Sequence, residues 1–106
     1  MGEADAEALL EEAGYEILEV QAPGSWGMEV DGEPVEVAVR ADFLVSRDGA
    51  TYVAEVKTGR LAPDPRHPAT RRQLLEYAFA FQPDGLLLID VEEGAIIEVR
   101  FPDLER

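Results

Sequence analysis

The chain has 106 residues, of which 46% are hydrophobic and 30% charged, so it is read as one globular domain over residues 1–106, neither disordered nor fibrous. With no cysteine and a single histidine, His67, it has no disulfide, no thiolate chemistry and no multi-histidine metal site. The formal charge of −14 opposes contact with nucleic acid or anionic membranes unless the cations gather where binding occurs.

From Glu3 to Ala13, Ala6, Leu9, Leu10 and Ala13 follow helical spacing and Gly14 supplies a stop, which predicts an amphipathic first helix. Tyr15 to Ala22 alternates as a half-buried strand, and the stretch Pro23-Gly24-Ser25-Trp26-Gly27 is expected to break it. Asp31-Gly32 then lies between two alternating runs and predicts a hairpin turn, with the second run continuing from Val35 to about Ser46. Asp48-Gly49 predicts another, with Thr51 to Lys57 as the return strand. Three antiparallel strands are therefore expected after the helix. The proline-rich segment from Arg60 to Pro68 reads as a loop. Beyond it Leu74, Tyr77, Ala78 and Phe81 mark the apolar stripe of a second helix beginning near Pro68 to Thr70. Gly85 to Val91 is a continuous apolar run of the kind buried on both faces, and Ala95 to Phe101 follows across a turn. The expected fold class is α/β, a mixed sheet flanked by helices in the order α-β-β-β-α-β-β, with one parallel crossover across the second helix.

No apolar run approaches the ~18 residues of a membrane span, and the N-terminus is acidic where a secretory signal is basic, so a cytoplasmic protein without membrane association is expected. The charge is polar along the chain. Residues 1–36 carry eleven acids and no base, whereas five of the nine Lys and Arg (Lys57, Arg60, Arg66, Arg71, Arg72) lie between positions 57 and 72 beside His67. That cluster either meets phosphates or offsets an acidic surface.

A two-residue loop at Asp48-Gly49 places Asp42 directly opposite Glu55, with Lys57 on the same face of the strand as Glu55. Cβ atoms of directly paired residues are ~4.5–5.5 Å apart, where two bare carboxylates destabilise a sheet unless something positive joins them. Two readings follow. In one, Lys57 neutralises a plain salt-bridged cluster. In the other, the oxygen ligands hold a hard cation such as Mg²⁺ or Mn²⁺.

Asp42 followed by Glu55-Val56-Lys57 resembles the signature of the PD-(D/E)XK nuclease superfamily, an acid on one strand and Glu-x-Lys on the next. The predicted element order is similar to that superfamily's restriction-endonuclease-like core. The opening helix resembles Holliday-junction-resolvase-like members, and Gln73-x-x-x-Tyr77 resembles the Gln-x-x-x-Tyr element of RecB-like members. The resemblance implies a metal-dependent deoxyribonuclease in which Asp42, Glu55 and the Val56 main-chain carbonyl hold Mg²⁺ or Mn²⁺. Glu3, or Glu7 one turn later, would complete the ligand set. By the same resemblance Lys57 is catalytic, Gln73 supports the site, and Tyr77, with Arg60, Arg71 and Arg72, meets DNA. Ala41 stands where many members have proline. The small size and acidic charge suggest a homodimer or a larger nuclease complex. They also leave a competing expectation, a non-catalytic nuclease-like domain that binds a protein partner.

Several of these residues also have purely structural readings. Thr70 and Gln73 fit a capping box, Tyr77 fits a helix core position, and Glu3 fits an acid complementing a helix dipole. His67 flanks a helix start. Trp26 is either a surface on which a base stacks or a cap on the core.

Overall fold

The computed structural model describes residues 3–105, with the Glu3 side chain outside the described residues. The elements run α1 (Glu3–Glu12), β1 (Glu16–Val30), β2 (Glu33–Arg47), β3 (Ala50–Lys57), α2 (Pro68–Phe81), β4 (Gly85–Asp90) and β5 (Ala95–Val99), before a short 3₁₀ turn at Pro102–Leu104. One five-stranded sheet has the order β1-β2-β3-β4-β5. All neighbours are antiparallel except β3 and β4, which are parallel and joined through α2. The chain is thus a mixed α/β fold, a mixed sheet flanked by helices in the order read from the sequence.

Local chemistry sets the boundaries. At the end of α1 the Tyr15 N–H donates to the Leu10 carbonyl at 2.9 Å and the Gly14 N–H to that of Glu11 at 3.0 Å. Gly14 has φ +90°, and this paired-bond stop needs a left-handed residue there, a conformation that costs glycine nothing. Both hairpin turns have positive φ at their two central residues, Asp31 and Gly32, then Asp48 and Gly49. This turn class matches the right-handed twist of the strands it joins.

One expected boundary is absent. Pro23 to Gly27 does not interrupt the strand, because β1 is an edge strand and runs through it in register, with Pro23 opposite Arg40 and Trp26 opposite Val37. Proline is tolerated on an edge, where its missing N–H removes no ladder bond from the sheet interior. Gly24 serves a packing need. A Cβ built there would come within 2.7 Å of the Phe81 ring, so the last turn of α2 lies directly on β1. The first expected strand and the start of the hairpin are one continuous element.

The core divides between the two faces of the sheet. On one, Ala6 and Leu10 of α1 pack with Tyr15, Phe43, Val45, Ala54, Leu87 and Ile89. On the other, Leu74 and Tyr77 of α2 pack with Ala41, Val53 and Leu86. β4 supplies both sides, and Gly85 to Ile89 is buried throughout. The ladder between β1 and β2 extends well past the last β2–β3 pair, Phe43 with Ala54, and ends at Val30 with Glu33. The end of this ribbon is exposed, Val30 being 51% accessible.

Phe43 is fully buried at the centre of the α1 side. Phe43→Ala is expected to lower the unfolding free energy in urea by about 3–5 kcal/mol, whereas Val30→Ala on the ribbon should stay within about 0.5 kcal/mol of the parent.

Candidate metal and catalytic centre

The β2–β3 ladder keeps the expected register as far as Phe43 with Ala54, and the next step would pair Asp42 with Glu55. There the backbone ladder ends and side chains take over. The Val56 N–H donates to Asp42 Oδ2 at 2.8 Å, and the Asp42 N–H donates to Glu55 Oε1 at 3.3 Å. Each carboxylate thus accepts from backbone of the opposite strand. Across the other edge of β2, Gln21 has φ +54°, the β1–β2 pairing skips it, and its side-chain amide donates to Asp42 Oδ1 at 3.3 Å. Side-chain alternation slips here too, since Ala41 packs with α2 while Phe43 packs with α1.

Glu55 is the more enclosed acid, 7% exposed. Its Oε1 also lies 3.1 Å from the Tyr77 hydroxyl, and Lys57 Nζ donates to Oε2 at 3.4 Å. The hydroxyl is in turn 2.9 Å from the Arg40 carbonyl and accepts from Gln73 Nε2 at 3.0 Å. Burial raises the Glu55 carboxyl above its ordinary value of 4.5 and the Asp42 charge adds to the rise, while Lys57, the Asp42 amide and the Tyr77 hydroxyl oppose it. Burial, then the Glu55 charge, keeps Tyr77 protonated far above its ordinary range. Its single proton lies between two acceptors, the Glu55 carboxylate and the Arg40 carbonyl.

Asp42, Glu55, Lys57, Gln73 and Tyr77 are thus brought into one hydrogen-bonded group. Two of them stand differently from the expectation. Tyr77 is only 3% exposed, so its hydroxyl bears on the site through Glu55 instead of facing a ligand. Gln73 forms no capping box: Thr70 Oγ1 donates to the Ala62 carbonyl at 2.7 Å, α2 starts at Pro68 after His67 with no side-chain cap, and the Gln73 amide turns to Tyr77. Arg60, Arg71 and Arg72 are exposed, the first of them three residues past Lys57 and the other two near the start of α2. Val56 contributes its N–H to Asp42.

The helical acid fares differently. Glu3 as a ligand lies outside the described residues, and Glu7 belongs to a helix that packs on the sheet face opposite Tyr77. Among the described residues no three His, Asp or Glu side chains converge as a metal-binding group. The donor set is instead two carboxylates, one of them enclosed and burdened by the other's charge, with a single lysine beside them. Such oxygens suit a hard cation, which would offset the repulsion that raises Glu55.

The sequence reading missed Gln21 and the Arg40 carbonyl. Gln21 carries no motif; the left-handed backbone that aims it at Asp42 is a property of the fold, and glutamine does not signal it.

No family model and no curated protein matches the chain. Eight chains of solved structures do. One of them, "Crystal structure of SSO0001", aligns with a TM-score of 0.64 at 22% identity over 92% of this chain. That match covers 47% of the other chain, so the present one spans about half its length. At this identity the likeness concerns the fold alone.

Two outcomes test the network in chelator-treated protein. Because folding raises the Glu55 pKa, the folded state binds more protons between 4.5 and the raised value, and Glu55 makes stability fall as pH rises through that window. Glu55→Gln should flatten this part of a urea-stability profile. Tyr77→Phe removes a hydroxyl that lowers Glu55, so Glu55 should titrate higher still by carboxyl NMR, with a stability loss of about 1–3 kcal/mol from buried groups left unpaired.

Proposed function

We propose that the chain is a metal-dependent nuclease of the PD-(D/E)XK type, with a restriction-endonuclease-like core, that hydrolyses phosphodiester bonds in DNA. The observation that carries this reading is the juxtaposition of Asp42, Glu55 and Lys57 where the β2–β3 ladder gives way to side-chain bonds, with Lys57 Nζ 3.4 Å from the enclosed Glu55. Plain structural salt bridges have no need to interrupt a ladder.

Asp42, Glu55 and the Val56 carbonyl would hold Mg²⁺ or Mn²⁺, with Glu3 as the further ligand proposed from the sequence. When bound, the ion supplies a Lewis acid for a phosphoryl oxygen and lowers the pKa of an attacking water. Lys57 places a fixed positive charge beside the scissile phosphate, where negative charge grows as the bond breaks. Tyr77 orients Glu55, and Gln73 orients Tyr77. Both are positioning residues, and their hydrogen bonds fix the Glu55 carboxylate before substrate arrives. Arg60, Arg71 and Arg72 would engage the DNA backbone.

A second reading rests on the β1–β2 ribbon. Its outer part, residues 28–36, carries Glu29, Asp31, Glu33 and Glu36 beside exposed Met28 and Val30, and no base. That surface would suit a basic protein partner, with the chain acting as a subunit of a larger nuclease complex, catalytic or not.

Incubation with Mg²⁺ or Mn²⁺ and single-stranded, duplex and branched DNA should give cleavage in the parent, and Lys57→Ala should slow it about 10²–10³-fold. Equal rates in parent and variant would remove the mechanism. Calorimetric titration with Mn²⁺ should lose its binding heat in Asp42→Asn; no binding by the parent at millimolar metal would favour the non-catalytic subunit.

A further inference from the structure

A groove of about 730 Å³ opens beside the carboxylate pair, between α2, the loop leading into it and the middle of β1. It shares Lys57 and Gln73 with the network around Glu55, so the groove and the candidate site are continuous. Its far wall is aromatic. The Trp26 and Phe79 rings lie 6.2 Å apart between centroids at an interplanar angle of 34°, and the Trp26 indole N–H donates to Glu76 Oε2 at 3.0 Å. That bond fixes the indole plane. Phe79 is 51% exposed although it stands on a helix with a well-filled apolar stripe, so its ring adds to the groove instead of the core.

Charge along the groove is ordered as well. In a chain of net charge −14, the side near the carboxylates has Lys57, with His67 and Arg72 also on the wall. Among the described lining residues Glu76 is the one acid, and its carboxylate is engaged by the indole. A cationic stretch next to a tethered aromatic shelf matches one kind of occupant, a polyanion with flat unpaired bases. Closed duplex keeps its base faces inside the stack, where no protein ring reaches them.

We infer that the substrate of the proposed nuclease site is a single strand of DNA, held with one unpaired base stacked on the Trp26–Phe79 shelf and the adjoining phosphates along Lys57 and Arg72. This rests on the nuclease reading for its chemistry, but the shelf is testable by itself. Each stacked base is worth about 1–3 kcal/mol, equivalent to a roughly five- to hundredfold change in affinity, and backbone contacts add a salt-dependent, sequence-independent part.

Trp26 is the only tryptophan in the chain, so intrinsic emission reports the shelf directly. The full chain would be titrated with Ca²⁺ present, against single strands of about ten nucleotides and the matching blunt duplex. Single strands should quench the Trp26 emission to saturation while the duplex leaves it nearly unchanged. Phe79→Leu, which keeps an apolar side chain at an exposed position, should weaken single-strand binding about five- to hundredfold by anisotropy of a labelled oligonucleotide, and Trp26→Leu should do the same. Quenching and aromatic dependence without cleavage under Mg²⁺ or Mn²⁺ would uphold the shelf while the nuclease reading fails. Metal-dependent cleavage with unmoved emission and full single-strand affinity in both variants would overturn the shelf and leave the nuclease reading standing.

Discussion

A carboxylate does the work of a backbone carbonyl at the centre of this sheet. By accepting the Val56 N–H, Asp42 closes the gap where the β2–β3 ladder stops, and its own N–H turns to Glu55. The other residues of the site gather around that exchange. Satisfying backbone donors by side chains keeps the strand pair closed without a cross-strand ladder, and it also fixes two acids that repel each other. The repulsion is moderated by Lys57 on one Glu55 oxygen and by the Tyr77 hydroxyl on the other. A buried carboxylate held in this way stays burdened by burial and by the neighbouring charge, which Lys57 and the Tyr77 hydroxyl offset only in part.

The two helices have separate duties. α1 covers one face of the sheet, where Leu10 and Phe43 form an apolar core. α2 covers the other and brings polar atoms inward at Gln73 and Tyr77, one turn apart on the same face. Tyr77 belongs to the core by its ring and to the site by its hydroxyl, so packing and positioning are carried by one side chain. The buried side-chain polar atoms that this arrangement creates all have partners among the described residues.

Much of this was legible in the chain because the deciding signals are local. Two Asp-Gly pairs set the hairpins and their register, Gly14 ended the first helix, and period-2 alternation located the strands around Asp42 and Glu55. The misreading at Pro23-Gly24 came from treating local breakers as decisive where the strand's edge position made them harmless. Thr70 and Gln73 matched a capping pattern, yet the Ala62 carbonyl and the Tyr77 hydroxyl one turn along the helix won the two side chains. Gln21 was invisible for a related reason: its role depends on a backbone turn inside a strand and on an acid on the neighbouring strand.

The polar group around Glu55 draws on β1, β2, β3 and α2, joining residues as far apart in sequence as Arg40 and Tyr77. Both Asp-Gly hairpins are by contrast local structures, closed by their own turns. A partly folded chain with its hairpins made and α2 undocked would keep the strands yet leave Glu55 without Tyr77, exposed to water and free to change rotamer. The geometry of this centre therefore requires α2 to be docked as well as the hairpins closed, and it is a stricter measure of the native state than secondary-structure content.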